Sequence, residues 1–238
     1  MTTFFRRIKE TFLDIVYPPF CITCGASGSW WCASCRDHVE LLMNEPCPRC
    51  LAAEPDHDHQ ACSGILPFAG VVSTGYYHSK PLRRFIAEMK YKGVTASDRD
   101  VEAYLAAFSP KRSGPFPWVH ERKLSMQPMP LSAPRERDRG FNQAEWIAKR
   151  LERTWLPKTK IIQSLVRRPS GMTQASLEDH ALRSANVRGE FIATKPVHGS
   201  VILVDDVVTT GSTAAEAART LIRAGADKIY LVSLALGK

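Results

Sequence analysis

Val201-Ile202-Leu203-Val204-Asp205-Asp206-Val207-Val208-Thr209-Thr210-Gly211-Ser212-Thr213 is the stretch whose reading decides the fold. Its first four residues form a short, unbroken apolar run, the pattern of a strand covered on both faces in a parallel sheet. Two aspartates then end the predicted strand. Adjacent carboxylates at the mouth of a buried strand repel each other and are costly to desolvate, so their presence implies a polar or cationic partner. Thr209, Thr210, Gly211, Ser212 and Thr213 follow and open a predicted helix. Hydroxyls and the unpaired N–H groups of a helix N-terminus favour a phosphate, and Gly211 lets the backbone come close to it. An ordinary strand capped into a helix needs only one acid and one hydroxyl. The lysine of a Walker loop is absent, which excludes that motif. Two acids followed by a hydroxyl-rich turn suit a sugar diol close to its own phosphate.

Outward from this stretch the chain reads as α/β from about residue 66 onward. Strands are predicted near Ala69–Tyr77, Met126–Leu131, Ile161–Val166, Val201–Val204 and Ile229–Leu236. Helices are predicted over Pro81–Tyr91, Ser97–Ala107, Asn142–Arg153, Leu177–Ser184 and Ser212–Ala224. Leu82, Phe85, Ile86 and Met89 fall on one face of the first of these. The Pro- and Gly-containing stretch Ser109–Lys123 reads as a loop. The expected organisation is an amphipathic helix over residues 1–18, a Cys-rich module over 19–66 and a parallel-sheet domain over 67–238.

Pro134-Arg135-Glu136-Arg137-Asp138-Arg139-Gly140-Phe141-Asn142 follows a predicted strand. Arginines at alternate positions fit neither a helix nor a core, and the expectation is a loop presenting guanidinium forks to a pyrophosphate. The bland alternative is a solvated loop of mixed charge, given Glu136 and Asp138.

All seven cysteines of the chain lie before residue 63. Cys21-Ile-Thr-Cys24 and Cys32-Ala-Ser-Cys35 make two knuckles able to complete a tetrahedral Zn²⁺ site. Cys47-Pro-Arg-Cys50 is a third knuckle and Cys62 stands alone. His57 or His59 would complete a Cys₃His site, which makes one zinc the expectation and a second an open question. Pairing of Cys21/Cys24 with Cys47/Cys50 is an equally open alternative. Clustered Cys-x-x-Cys pairs read as metal ligands rather than disulfides in a chain without a secretion signal.

The N-terminal residues Phe4, Phe5, Ile8, Phe12 and Ile15 repeat at helical spacing. Glu10 and Asp14 interrupt the apolar stretch after Arg6, Arg7 and Lys9, which argues against a signal peptide. No run approaches the roughly 18 apolar residues of a membrane span, and the expected compartment is the cytoplasm. The net charge of +8 favours anionic partners. Aromatic and basic residues interleave around Tyr76–Lys80, Arg83–Arg84 and Lys90–Lys92, as on single-strand-binding surfaces. For Arg83, Arg84 and Lys90 the competing expectation is the solvated face of a helix.

The VDDVVTTGST segment resembles the phosphoribosyl pyrophosphate motif of type I phosphoribosyltransferases. That resemblance implies a ribose 5-phosphate cradle, with Asp205 and Asp206 at the ribose hydroxyls or the hydration shell of Mg²⁺. Val207, Val208, Thr209, Thr210, Gly211, Ser212 and Thr213 would wrap the phosphate. Arg139-Gly-Phe-Asn-Gln-Ala144, Met89–Gly93, Thr173-Gln174, Asn186 and Phe191 resemble the ComF/GntX family, competence-associated proteins joining a Cys-rich module to a phosphoribosyltransferase-like domain. The chain departs from that pattern at Ser132-Ala133. The resemblance implies that Arg135, Arg139 and Asn142 serve the pyrophosphate, and that the protein takes part in DNA uptake or use of external DNA with DNA-processing partners. Two further functions stand beside it: a Mg²⁺-dependent phosphoribosyltransferase of unknown acceptor, and a sensor of phosphoribosyl pyrophosphate.

Overall fold

The computed structural model describes residues 18–53, 58, 60, 62, 64–92, 98–109, 116–168 and 189–237. The predicted Leu177–Ser184 helix, the helix over residues 1–17, His57 and His59 lie outside them, as do Thr173, Gln174 and Asn186.

The centre of the molecule is a parallel five-stranded sheet. Its strands are β1 (Gly70–Tyr76), β2 (Leu124–Pro128), β3 (Lys160–Ile161), β6 (Ser200–Val208) and β7 (Ile229–Leu236), in the order β1-β7-β6-β2-β3. A separate antiparallel pair is formed by β4 (Leu165–Arg167) and β5 (Phe191–Ala193). From β2 the chain moves outward to β3, whereas from β6 it moves the other way to β7. The carboxyl ends of β2 and β6 therefore flank the point where the winding reverses, the place where open α/β sheets bind ligands.

Side chains alternate across β6, so its two faces build two cores. Ile202 and Val204 pack with α2 (Lys80–Lys92), α3 (Asp98–Phe108) and α5 (Gln143–Thr154), through Phe85, Ile86, Leu105, Ile147 and Leu151. Val201 and Leu203 pack with α6 (Ser212–Arg223), whose Ala214, Ala215, Ala217 and Ala218 bring that helix close to the sheet. The Cys-rich segment, with its short helix α1 (Ala33–Asp37), contributes to both. Trp31 is fully buried and stacks on Phe85 at 4.5 Å in the first core, while Leu42 and Leu51 join the second. Residues 40–42 run antiparallel along the edge of β1, where Gly75 leaves room for the Glu40 carbonyl. This strip covers an edge that would otherwise invite foreign strands.

Several expectations need correction. The strand containing the two aspartates continues to Val208, because β7 pairs with it past the acids at Val207 and Val208. The predicted Ile161–Val166 strand is two strands in different sheets, with Ile162–Ser164 turning between them. β5 was not predicted, its three residues being too short for a periodic signal. The strand predicted at Met126–Leu131 lies at Leu124–Pro128.

The arginine-bearing segment is a helix, α4 (Ala133–Arg139), rather than a loop. Pro134 sits in its first turn, where a missing N–H costs nothing, and Gly140 ends it in the left-handed region with φ of 72°. Glu136 in the first turn and Arg137 and Arg139 in the last match the helix dipole. Alternate spacing therefore becomes a helical face, with Arg135 and Arg139 four residues apart on one side.

Candidate functional site

The turn after β6 is set by Gly211, whose φ of 71° is the left-handed region, and α6 starts directly behind it. No hydroxyl caps this helix. Thr210 and Ser212 instead bond to each other, Oγ1 to Oγ at 2.9 Å, and both are exposed. The first-turn N–H groups of α6, which have no partner within a helix, lie in a turn ringed by exposed hydroxyls.

Asp205 and Asp206 sit one turn of the pleat before it. Lys90 of α2 reaches across to Asp206, Nζ to Oδ2 at 2.8 Å. Lys90 thus leaves the solvated helix face expected for it, while Arg83 and Arg84 stay exposed. Burial pushes the Asp205 carboxyl up to about 7, and the neighbouring Asp206 charge adds to the effect. Lys90 and Arg167 pull it the other way. Arg167, on β4, is held by Glu190.

A cavity of about 220 Å³ joins these groups. Its wall includes Asp205 through Ala214, so the whole predicted cradle lies on one surface, with Arg135, Arg139 and Asn142 opposite it. Lys90 and Arg167 complete the lining. Arg137 does not line it, in keeping with the face it occupies on α4. Arg139 Nη1 donates to Gln143 Oε1 at 2.7 Å. Asn142 has a different task from ligand contact: its Oδ1 accepts from the N–H groups of Ala144 and Glu145, and its Nδ2 donates to the Met129 carbonyl. It caps α5 and ties that helix to the end of β2, holding the cavity wall.

Sequence reasoning missed Lys90 and Arg167 as part of this site. Lys90 carried a signal, since it sits one position past Met89 on the buried side of α2. Arg167 carried none, because its strand was not resolved from β3.

The cysteines form two clusters in chain order, Cys21-Cys24-Cys32-Cys35 and Cys47-Cys50-Cys62, each with its sulfurs within 4.8 Å of one another. The interleaved pairing is thereby excluded. None of the seven is in a disulfide. Cys24 and Cys32 Sγ are 3.7 Å apart, close to the edge of about 3.8 Å that a sulfur tetrahedron around zinc requires at a Zn–S bond of about 2.3 Å. Burial pushes the Cys21 thiol up, but the backbone N–H groups of Cys32, Cys24 and Thr23 outweigh it and bring it down to about 6. Burial raises Cys50 to about 11, with its neighbours Cys62 and Cys47 also competing for charge. Crowded thiols that resist carrying charge together suit a divalent, thiophilic cation.

Known proteins agree with both halves of this picture. Residues 12–66 match the family described as Double zinc ribbon domain. "DNA utilization protein YhgH" of Escherichia coli strain K12 is 30% identical over 227 residues, covering 91% of this chain and 96% of that protein. The chain belongs to the ComF/YhgH family. "Competence protein F" of Haemophilus influenzae is 28% identical over 86% of this chain and 84% of its own length. "Competence protein ComFC" of Bacillus subtilis is 25% identical over 82% and 78%. This ComF/YhgH chain therefore carries a zinc-binding ribbon ahead of a parallel α/β domain. No helix among its described residues is long and apolar enough to cross a membrane.

Proposed function

We propose that the cleft between β2 and β6 binds phosphoribosyl pyrophosphate with Mg²⁺, as in a type I phosphoribosyltransferase. The observation that supports this most is the convergence on one cavity of a hydroxyl-ringed helix N-terminus, two adjacent acids and two arginines on one helical face. The turn Thr209–Thr213 takes the 5-phosphate through hydroxyls and first-turn N–H groups. Asp205 and Asp206 accept from the ribose hydroxyls, with Val207 and Val208 shaping the wall beneath. Arg135 and Arg139 attract the pyrophosphate. Oxygen donors that hold charge reluctantly fit a hydrated Mg²⁺, which supplies charge neutralisation of the pyrophosphate. Titrations with ribose 5-phosphate, with pyrophosphate and with the intact ligand test this: each fragment should displace the whole. Displacement by neither would refute the assignment.

A second cavity, of about 320 Å³, supports the further reading that the protein transfers the ribosyl group. It shares Pro130, Leu131, Asn142 and Arg167 with the first and adds Glu136, Glu145 and Gln163. An acceptor would have room beside the departing pyrophosphate, where Arg135 and Arg139 stabilise the developing charge. Pyrophosphate release across a panel of nucleobases and amines decides it, and release with no acceptor in the panel leaves binding as the function.

The names of the relatives place the protein's work in competence and the use of DNA. With a net charge of +8 and exposed Arg83 and Arg84, it would hold single strands directly. Such binding should weaken with added salt, and its absence at low salt would exclude a direct contact.

A further inference from the structure

The two first knuckle turns of the clusters are built alike. Cys21 N–H donates to the Ala26 carbonyl and Gly25 N–H to the Cys21 carbonyl. Cys47 N–H donates to the Ala52 carbonyl and Leu51 N–H to the Cys47 carbonyl in the same way. The fifth residue of each turn is left-handed, with φ of 79° at Gly25 and 64° at Leu51. Glycine adopts that conformation freely, whereas a leucine does so against the clash of its Cβ. A knuckle alone therefore calls for glycine, and the second one uses leucine.

The Leu51 side chain shows what it is there for. Gly25 has open space about it, whereas Leu51 is 3% exposed. A Cβ built on Gly211 would lie 2.9 Å from Leu51 Cδ1 and 3.1 Å from Leu66 Cδ1. Leu51 and Leu66 thus sit directly beneath the left-handed residue that sets the phosphate turn. Both are anchored to the second cluster. Leu66 N–H donates to the Arg49 carbonyl, Arg49 Nε to the Gly64 carbonyl, and Gly64 N–H to Cys62 Sγ. Cys47 and Cys50 open the turn that ends in Leu51. The first cluster has no such link, as its Trp31 and Cys35 pack in the core on the opposite face of the sheet.

We infer that Leu51 is a positioning residue for the phosphate turn, and that zinc in the Cys47–Cys50–Cys62 cluster is thermodynamically coupled to binding of phosphoribosyl pyrophosphate. This rests on the ligand reading proposed above. Metal there fixes the knuckle, the knuckle fixes Leu51 and Leu66, and those two hold Gly211 where the first-turn N–H groups of α6 converge. Linkage then runs both ways, so the ligand must tighten zinc at this cluster as much as zinc tightens the ligand.

Two measurements on the full chain test it. In the first, a chelator competes for zinc at equilibrium in wild type, with and without saturating phosphoribosyl pyrophosphate and Mg²⁺. The weaker-held zinc should shift about tenfold toward the protein when ligand is present, and the Cys21–Cys35 zinc should not move. The second uses Leu51→Gly, which keeps the turn's backbone preference and removes the side chain. Its zinc content should equal that of wild type while its ligand Kd rises about tenfold, and Leu51→Met should restore most of the affinity. Ligand binding in wild type with no shift in zinc affinity and no loss in Leu51→Gly would overturn the coupling alone. An absence of ligand binding in wild type would overturn the ligand reading and the coupling with it.

Discussion

Lys90 Nζ and Asp206 Oδ2 lie 2.8 Å apart, with both side chains mostly buried, and this pair ties helix α2 to the acids of the cradle. The pair leaves Asp206 charge-compensated beside Asp205, whose carboxyl is the one pushed up. One acid of the site is thus held ionised and its neighbour kept poised near neutrality.

Lys90→Met would leave Asp206 without its partner. A charge-assisted hydrogen bond of this kind contributes about 1.5–3 kcal/mol, and urea denaturation should show a loss of that size. Lys90→Met/Asp206→Asn should recover much of it, since the uncompensated carboxylate goes too. Additive losses in the double variant would show that the two residues do not interact.

The raised Asp205 has a pH signature in both stability and binding. Its carboxyl rises from 3.8 to about 7 in the folded protein, so the native state binds more protons than the unfolded chain between those values. Stability contributed by this group is complete below about pH 4 and is lost as pH rises toward 7. Asp205→Asn should therefore raise the melting temperature at pH 8 more than at pH 5. Binding runs the opposite way, because the ionised carboxylate is the better acceptor for ribose hydroxyls: affinity in wild type should increase from pH 6 to pH 8. A melting difference that does not change with pH would contradict the assignment.

The face of α4 separates its arginines by role. Arg135→Ala and Arg139→Ala should each weaken phosphoribosyl pyrophosphate about tenfold or more, in line with a charge-assisted contact of about 1.5–3 kcal/mol. Arg137→Ala should leave affinity unchanged. Equal effects at all three positions in calorimetric titration would indicate a general charge attraction instead of a directed contact.

Trp31 joins the zinc ribbon to the α/β core through Phe85 and Tyr104. Trp31→Ala should cost about 3–5 kcal/mol and lower a single shared thermal transition. Two separated transitions in wild type, with only one moved by the substitution, would show that the ribbon and the sheet fold independently.

Much of the fold was legible because its signals were local. The apolar run at Val201–Val204, the periodic face of α2 and the capping Asn142 each declare themselves within a few residues. Cys spacing likewise announced the knuckles. The α4 helix misled because charge alternation was read at a period of two, where seven exposed residues leave no apolar stripe to show the true period. β4 and β5 were hidden by length, three residues each. Lys90 meeting Asp206, and Leu51 meeting Gly211, are contacts between segments more than a hundred residues apart, and nothing local encodes them. Gly211 itself was read as making room for a ligand; it also makes room for Leu51 and Leu66 from below.

The central claim is that residues 205–213 form a ligand cradle, and calorimetric titration of the full chain with phosphoribosyl pyrophosphate and Mg²⁺ tests it most directly. Wild type should give saturable one-to-one binding, and Asp205→Ala/Asp206→Ala should abolish it while zinc content stays the same. No saturable heat from wild type, or equal binding by the double variant, would contradict the account.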